Sequence, residues 1–443
     1  MSTASTMVLT QRDELLARLS EARRQSDDLF AIVKPGYLYE RPIAERHRII
    51  FYVGHLEAFD WNLLRERLLG MKSLSNEFDQ LFAFGIDPVG GGLPADQPQD
   101  WPSLEVVRNY VDTVRATLED GLAALAPWRL QAEDATTWLN VAIEHRLMHA
   151  ETLAYMLHQL PYEQKVGRPG KPTLTTASPA LRTVNIPAGR ATLGQSHRAG
   201  AFGWDNEYNS HIVEVPAFAI DTHMVTNAQY LEFIAAGGYD NRSLWNDLGW
   251  EWRTTHNIQH PVFWTRSGDR DQWRLRTMFD EIPLPPDWPV YVSHAEANAC
   301  ARWAGKALPS EAQWHRAAYG APDGCERFYP WGGEASGAKR GNFDFASWDP
   351  VPVGAFPEGR SAFGLFDLIG NGWEWTSTLF QPFPGFQPFP FYRGYSTDFF
   401  DGKHYVIKGG SARTAASMLR RSFRNWFQPH YQYVYAGFRC VTN

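Results

Sequence analysis

Three histidines in the first 150 residues have the type and spacing that metal binding requires. His145 and His149 lie four residues apart in the segment EHRLMHAE. On a helix this spacing projects both imidazoles from one face, as in other metal-binding histidine pairs. His55 lies in FYVGHLEAFDW, whose apolar residues indicate a position facing a helical core. Together they predict a metal site inside a helical bundle. The alternative is one structural core histidine and a solvent-facing pair.

Three neutral imidazoles leave coordination positions open on a bound ion. With Zn²⁺ such a site activates water, and with Fe²⁺ it is a variant of the facial triad in which histidine replaces the carboxylate. The ligands alone do not decide between these metals. Glu151 completes the pattern H-x-x-x-H-x-E. It lies only two residues after His149, so on a helix it points away from the pair.

The elements that carry these histidines are predicted helices. Apolar periodicity, with Pro42 as a start and Gly70 as a stop signal for the second helix, predicts helices over 11–33, 41–70, 103–125 and 133–160. Four helical stretches in this part of the chain predict an antiparallel bundle.

The character of the sequence changes after residue 160. Residues 161–185 contain Pro, Gly, Lys and Thr without periodicity and predict a linker. From residue 186, short β-like runs such as HIVEVPAFAID and PVYVSH alternate with loops rich in Gly and Trp. One helix is predicted over 293–304, with Ser293 as its cap. The predicted organisation is a bundle over 1–160, a linker over 161–185 and an α+β domain over 186–443.

Composition excludes several classes of protein. The chain has 443 residues, 44% hydrophobic and 21% charged, which excludes disorder as its main state. The net charge of −7 disfavours nucleic acid as a partner. No long apolar run indicates a membrane partner. Only three cysteines and an N-terminus without an apolar signal core predict a cytoplasmic protein.

Five segments of the second half, in this order, resemble the formylglycine-generating-enzyme-like domain: FAIDTHMVTNAQYLEFI (218–234), PVYVSHAEANACARWAGKALPSEAQWHRAA (289–318), GLFDLIGNGWEWTS (364–377), VIKGGS (406–411) and YAGFRC (435–440). The implied fold is a C-type-lectin-like α+β domain. The first half, with His55 and H-x-x-x-H-x-E, resembles a DinB-like four-helix bundle. The two together resemble the family of ergothioneine-type sulfoxide synthases and selenoneine synthases, which are non-haem iron enzymes.

The resemblance implies a function and a set of site residues. His55, His145 and His149 would bind Fe(II). The substrates would be O₂, hercynine, which is the trimethylated betaine of histidine, and a chalcogen donor that becomes bonded to C2 of the imidazole. Asn425 and Trp426 match positions near the substrates, and an aromatic face suits a trimethylammonium group.

Two further sets of residues follow from the same resemblance. Tyr392 or Tyr395 would supply a proton as a general acid. Glu374 of GNGWEW and Arg439 of GFRC are predicted to be scaffold residues that organise the core.

Departures from the family bear on the donor. The branch that uses γ-glutamylcysteine has two arginines before the third helix, whereas this chain has no arginine between Arg67 and Arg108. The branch that uses γ-glutamylcysteine also has an acidic residue where this chain has Phe427, and often a glutamine where this chain has Met148. A neutral selenosugar is therefore the predicted donor, with cysteine as the alternative. Candidate hydroxyl-binding groups in the Gly-rich loop over 83–102 are Asp87, Gly90, Gly91, Gly92, Asp96 and Gln97; the alternative is that this loop is simply a turn.

Other functions remain as alternatives. A lectin-like domain beside a metal-binding bundle could be a binding module without redox activity, and a metal-dependent thiol transferase would consume a thiol without O₂. Formylglycine generation is disfavoured because it needs a close pair of reactive cysteines. Cys325 and Cys440 are far apart in the sequence, and Cys300 is predicted to be buried.

Overall fold

The computed structural model of the protein describes residues 3–85, 93–131, 134–167, 179–267, 272–334 and 336–442. The chain divides into two compact units, Met1–Pro169 and Gly170–Asn443. None of the helices in these described ranges combines the length and the apolar character needed to cross a membrane.

The first unit is a helical bundle. Its helices are α1 (Thr3–Phe30), α2 (Ile49–Leu64), α3 (Asn76–Phe84), α4 (Leu104–Ala123) and α5 (Ala135–His158). Helix α1 packs against α5, and α2 packs against α3, α4 and α5. The predicted bundle is confirmed, and the short helix α3 is an addition to it.

Helix α2 occupies the middle of the bundle. It begins at Ile49, so the predicted start at Pro42 is wrong, whereas the predicted stop is confirmed because the helix continues in a π-helical turn that ends at Gly70, with a positive φ of 69°. Nearly all residues of α2 are buried, including the polar His55, Glu57 and Asp60. A helix that is surrounded on all sides is expected to be apolar all round, so these three polar residues require partners inside the core.

The second unit combines short strands with helices and long irregular segments. Its strands are β1 (Thr183–Ile186), β2 (Gly189–Leu193), β3 (His211–Val215), β4 (Phe218–Asp221), β5 (Trp264–Ser267), β6 (Gln272–Arg276), β7 (Glu281–Pro283), β8 (Gly372–Leu379), β9 (Tyr405–Gly410), β10 (Asn425–Phe427), β11 (Ala436–Gly437) and β12 (Val441–Thr442). Its helices are α6 (Asn227–Ala235), α7 (Asp247–Thr255), α8 (His294–Trp303), α9 (Glu311–Tyr319) and α10 (Gly394–Thr397).

The strands form small sheets. The described sheets have the strand orders β1-β4-β12, β10-β9-β8-β11, β2-β3 and β5-β6-β7. Pairing is antiparallel except between β11 and β8, which run parallel. The predicted α+β class of this unit is confirmed.

Local predictions in this unit had mixed outcomes. The run HIVEVPAFAID forms β3 and β4, and α8 begins after Ser293, whose hydroxyl accepts a hydrogen bond from the Glu296 amide. The run PVYVSH is not a strand, which corrects the prediction. Its buried backbone bonds instead to separate segments, with Val290 N donating to Val225 O and Val292 N to Ala436 O. The hydrophobicity of this run therefore reflects burial without a sheet ladder.

A buried ion pair organises the core of the second unit. Arg439 Nε lies 2.6 Å from Glu374 Oε2, and neither side chain is exposed. Trp314 donates to the same carboxylate oxygen, and the Arg439 guanidinium also bonds the carbonyls of Asp221 and Phe366. Arg439 and Glu374 thus join β4, α9 and β8, in agreement with the predicted scaffold role.

The first prediction concerns this pair. Arg439→Leu leaves Glu374 as an uncompensated buried carboxylate, so we expect it to destabilise the protein by about 3–5 kcal/mol. The matched control is Arg190→Leu, since the Arg190–Glu214 pair is about 70% exposed on both sides and exposed pairs contribute about 1 kcal/mol or less. Urea denaturation followed by tryptophan fluorescence measures both variants. Equal midpoints for the two variants would contradict the scaffold role.

Candidate metal centre and aromatic cluster

Helices α2 and α5 bring the three predicted histidines together. His55 projects from α2 and His145 and His149 from α5, and one nitrogen from each ring lies within 4.8 Å of the others. His145 is 3% exposed and His55 8% exposed. Because the helices pack against each other, residues that are 90 positions apart in the sequence share one small volume.

The hydrogen bond of His55 fixes which of its nitrogens can bind a metal. Its Nδ1 lies 2.7 Å from the carbonyl oxygen of Phe82 on α3. A carbonyl only accepts, so Nδ1 carries the proton and donates it, and Nε2 keeps its lone pair for an ion. Metal-binding histidines commonly show this arrangement, in which a backbone carbonyl orients the ring.

Aromatic side chains enclose the three imidazoles. The Phe59 ring stacks on His145 at 3.4 Å between centroids, and Phe51 stacks on His55 at 4.7 Å. Tyr52 lies 5.6 Å from His149. These contacts restrict rotation of the rings and keep the site partly shielded from water.

All three imidazoles are neutral at physiological pH. Burial lowers the pKa of His55 to about 4, and burial together with the neighbouring histidines lowers the pKa of His145 well below its usual value. Burial and the nearby His55 have the same effect on the pKa of His149. A neutral ring is the form that binds a metal, so no imidazolium has to lose a proton first.

The donor set fits a divalent transition metal. Nδ1 of His145 and Nδ1 of His149 are buried, and within the described ranges neither has a hydrogen-bond partner. Metal–imidazole bonds of about 2.1 Å place neighbouring ligands of one ion about 3.0–3.4 Å apart, whereas the three nitrogens lie within 4.8 Å of one another. The rings would therefore move towards one another to share an ion, and three nitrogen ligands would leave further coordination positions open.

A buried ion cluster lies directly behind the triad. Arg146, which follows His145, places Nη2 2.6 Å from Asp60 Oδ2 and 2.8 Å from the Leu56 carbonyl oxygen. Its Nη1 lies 3.1 Å from Glu57 Oε1, and Glu57 also pairs with Arg115 at 2.7 Å. Arg146, Glu57 and Asp60 are each at most 1% exposed.

In the second unit, Trp426 belongs to an aromatic cluster. Phe380 stacks on its indole at 4.0 Å with an interplanar angle of 9°, and Tyr395 meets it edge-on at 5.5 Å. Tyr395 in turn stacks on the buried Trp204 at 3.9 Å. The structure thus brings together two residues that the family resemblance assigns to substrate binding and acid catalysis.

The second candidate tyrosine lies beside the first. Tyr392 is 5.5 Å from Tyr395 between ring centroids. Burial, with the nearby carboxylates of Asp205 and Asp398, raises the pKa of Tyr392 to about 12 and keeps its phenol protonated. The hydroxyl of Ser396 donates to Asp205 at 2.5 Å and ties the segment that carries both tyrosines to the neighbour of Trp204.

The remaining predicted site residues are placed as follows. Asn425 and Phe427 flank Trp426 on β10. The Asn425 side-chain oxygen accepts from the Trp426 amide at 2.8 Å, and the Phe427 ring stacks on Tyr431 at 5.3 Å. Met148 lies on α5 in the first unit, next to His149, and is partly buried.

Part of the Gly-rich loop is now accounted for. Asp96 is buried and accepts hydrogen bonds from Arg41, from Arg48 Nε at 2.9 Å and from Trp101 at 2.6 Å. These bonds occupy its carboxylate, so the prediction that Asp96 binds a hydroxyl group is wrong. Asp87 and the three glycines Gly90, Gly91 and Gly92 lie outside the described residues. Cys300 is buried, as predicted.

Sequence reasoning missed Phe82, Arg146, Glu57 and Asp60. Phe82 could have been found from the signal of α3, in which Ser75 caps a helix whose Phe78 and Phe82 are four residues apart. The ionic residues offered a weaker signal. Arg146, Glu57 and Asp60 are charged residues within helical segments that are buried in the bundle. Which of them form ion pairs depends on how the helices pack.

Comparisons with known proteins agree with both units. Residues 18–153 match the DinB superfamily, and residues 171–443 match the sulfatase-modifying factor enzyme 1-like domain. A protein named hercynine oxygenase from Mycolicibacterium thermoresistibile is 38% identical over 75% of this chain and 74% of its own length. The protein of that name from Mycobacterium tuberculosis is 38% identical over 75% of this chain and 77% of its own length. Ergothioneine biosynthesis protein 1 of Neurospora crassa is 28% identical over 92% of this chain and 55% of its own length.

The fold class follows from these matches. The protein joins a DinB-type helical bundle to a C-type-lectin-like α+β domain of the sulfatase-modifying factor type. With more than a third of residues identical over three quarters of the chain, it belongs to the family of the hercynine oxygenases.

The second prediction tests the triad as a ligand set. We expect His145→Ala to reduce bound Fe(II) to less than a tenth of the wild-type amount, because it removes one of three ligands, while the circular dichroism of the helices is retained. The control is His256→Ala, since His256 is exposed and lies in the second unit. Iron content after gel filtration measures both. Wild-type iron content in His145→Ala would contradict the assignment.

Proposed function

We propose that this protein is an O₂-dependent non-haem Fe(II) enzyme that joins a chalcogen donor to C2 of the hercynine imidazole. The observation that carries the proposal is the triad of neutral histidines on two packed helices, in which His55 and His145 are buried and His149 is partly buried. The identity to proteins named hercynine oxygenase supports hercynine and O₂ as substrates.

The triad would hold the iron. When bound, Fe(II) supplies open coordination positions and the redox chemistry that O₂ requires. The aromatic rings around the histidines restrict water access and orient the ligands. Because the three histidines are neutral, they would add no negative charge to a bound ion.

Residues of the second unit would bind hercynine and donate a proton to reduced oxygen. Trp426 offers an indole to the trimethylammonium group of hercynine, and such a contact contributes about 0.5–2 kcal/mol. Asn425 beside it offers an amide to a polar group of the substrate. Tyr392 or Tyr395 would donate a proton to reduced oxygen, and the raised pKa of Tyr392 ensures that its proton is present at neutral pH.

The donor we propose is a neutral selenosugar. No arginine occurs between Arg67 and Arg108 to clamp a donor carboxylate, and Arg41 and Arg48 are both paired with the carboxylate of Asp96. Phe427 and Met148 are also uncharged, at positions where the branch that uses γ-glutamylcysteine has an acidic residue and often a glutamine. Cysteine is the second candidate donor, favoured by the names of the relatives, which belong to ergothioneine biosynthesis.

O₂ is the oxidant that balances the electrons of the proposed reaction. Replacing the C2–H bond and the donor's Se–H bond by one C–Se bond releases two electrons and two protons. Oxidation of selenium to the selenoxide supplies the other two electrons needed to reduce O₂ fully; one oxygen atom stays on selenium and the second leaves as water. With cysteine the same balance holds for sulfur.

The third prediction identifies the donor. Purified protein with Fe(II), hercynine, cysteine and selenoglucose is mixed under air and under argon, and the products are identified by mass spectrometry. We expect a selenium-bearing hercynine adduct that forms only under air. A sulfoxide adduct would contradict the selenium donor and identify cysteine as the donor. Iron binding without any adduct would contradict the proposed enzymatic activity and favour a binding module. Consumption of the thiol under argon would indicate a metal-dependent thiol transferase.

The fourth prediction distinguishes the tyrosines. Tyr392→Phe and Tyr395→Phe each remove one phenol while keeping the ring that packs on its neighbours. Loss of a general acid lowers kcat by about 10²–10⁴-fold, so we expect this loss in one variant and a change of a few fold in the other. Steady-state O₂ uptake with hercynine and the donor measures both. Near wild-type kcat in both variants would contradict a tyrosine acid.

A further inference from the structure

Arg146 occupies an unusual position between the two helices that carry the triad. It directly follows His145 on α5, and its guanidinium reaches the carbonyl oxygen of Leu56, which directly follows His55 on α2. One side chain therefore joins the residues that follow two of the three candidate ligands. The same Nη2 atom bonds Asp60 Oδ2 at 2.6 Å, one helical turn further along α2.

These bonds of Arg146 fix more than the distance between α2 and α5. A guanidinium has a rigid planar fork of donors, and here the fork bonds a backbone oxygen and two carboxylates of α2 at once. Sliding or rotating α2 against α5 would break at least one of these bonds. The relative placement of His55 and His145 is thus coupled to the geometry of one buried cation.

The surroundings hold the cation in place. Glu57 accepts from Arg115 at 2.7 Å and lies 3.4 Å from Arg23, so helices α4 and α1 also contribute charges to the cluster. Arg146 Nη1 also reaches the Ser26 hydroxyl of α1 at 3.4 Å. The cluster therefore includes side chains from all four long helices.

Stability alone is a weak reason for such a cluster. Buried ion pairs lose the hydration of both charges, and apolar side chains of similar volume often replace them without loss of stability. The placement directly behind the histidines suggests a different benefit. Residues that orient metal ligands commonly change metal affinity 10–100-fold when they are replaced.

We propose that Arg146 is a positioning residue for the metal centre, which sets the relative placement of His55 and His145 through Leu56, Glu57 and Asp60. This inference rests on the proposed function, since it requires the triad to bind a metal. It assigns to a charged residue of the bundle core a role in ligand geometry that is separate from stabilisation of the fold.

The test compares metal affinity with fold stability. In the double variant Asp60→Leu with Arg146→Met, both charges are removed together, while Glu57 keeps its partners Arg23 and Arg115. We expect helical content and the urea midpoint to stay near wild type, Fe(II) affinity to fall 10–100-fold, and the visible absorption bands of the Co(II)-loaded protein to shift. The single variant Arg146→Lys, which keeps the charge but not the fork, should show the same band shift.

The matched control is Arg23→Met. Arg23 is a buried arginine of the same cluster, but it joins α1 to α2 and α4 and makes no link between α2 and α5. We expect its Fe(II) affinity to fall by much less than the 10–100-fold loss expected of the Arg146 variants. Wild-type affinity and an unchanged Co(II) spectrum in the folded Arg146 variants would overturn the inference alone. Absence of Fe(II) binding by the wild-type protein would overturn the proposed function and the inference with it.

Discussion

The contact between α2 and α5 is the constraint on which the candidate metal centre depends. These helices are joined by two kinds of interaction on adjacent residues: the histidines that face one another and the buried ion cluster around Arg146. Because α2 is surrounded by α3, α4 and α5, it cannot adjust its position without disturbing the whole bundle. The Phe82 carbonyl of α3 adds a third restraint by orienting the ring of His55. Packing of the helices in this way sets where the three candidate ligands lie relative to one another.

The second unit achieves rigidity by different means. Its strands are short, and long irregular segments are held by buried polar groups, above all by the pair Arg439–Glu374. Large aromatic side chains fill the spaces between these segments, and one group of them places Tyr395 against Trp426. Such packing keeps aromatic rings partly accessible on a firm support, which suits recognition of a cationic ligand.

The sequence predicted the features that depend on local pattern. Histidine spacing and apolar periodicity predicted the grouping of the three histidines and the bundle, and the cap at Ser293 predicted α8. It failed where tertiary contacts decide the outcome. The apolar run PVYVSH is buried without forming a strand, and Asp96 is paired with Arg41 and Arg48 from a distant segment. The partners of Arg146 could not be predicted from the sequence either, because no local pattern indicates which helices pack against each other.

X-ray absorption at the iron edge shows whether the three histidines hold iron and whether hercynine reaches it. Protein loaded with Fe(II) under argon is measured with and without hercynine. We expect three imidazole nitrogens at about 2.1 Å from the iron and a change in the edge when hercynine is added. A first shell with one imidazole or none, or a spectrum that hercynine leaves unchanged, would contradict an iron centre that is built from the triad and acts on this substrate.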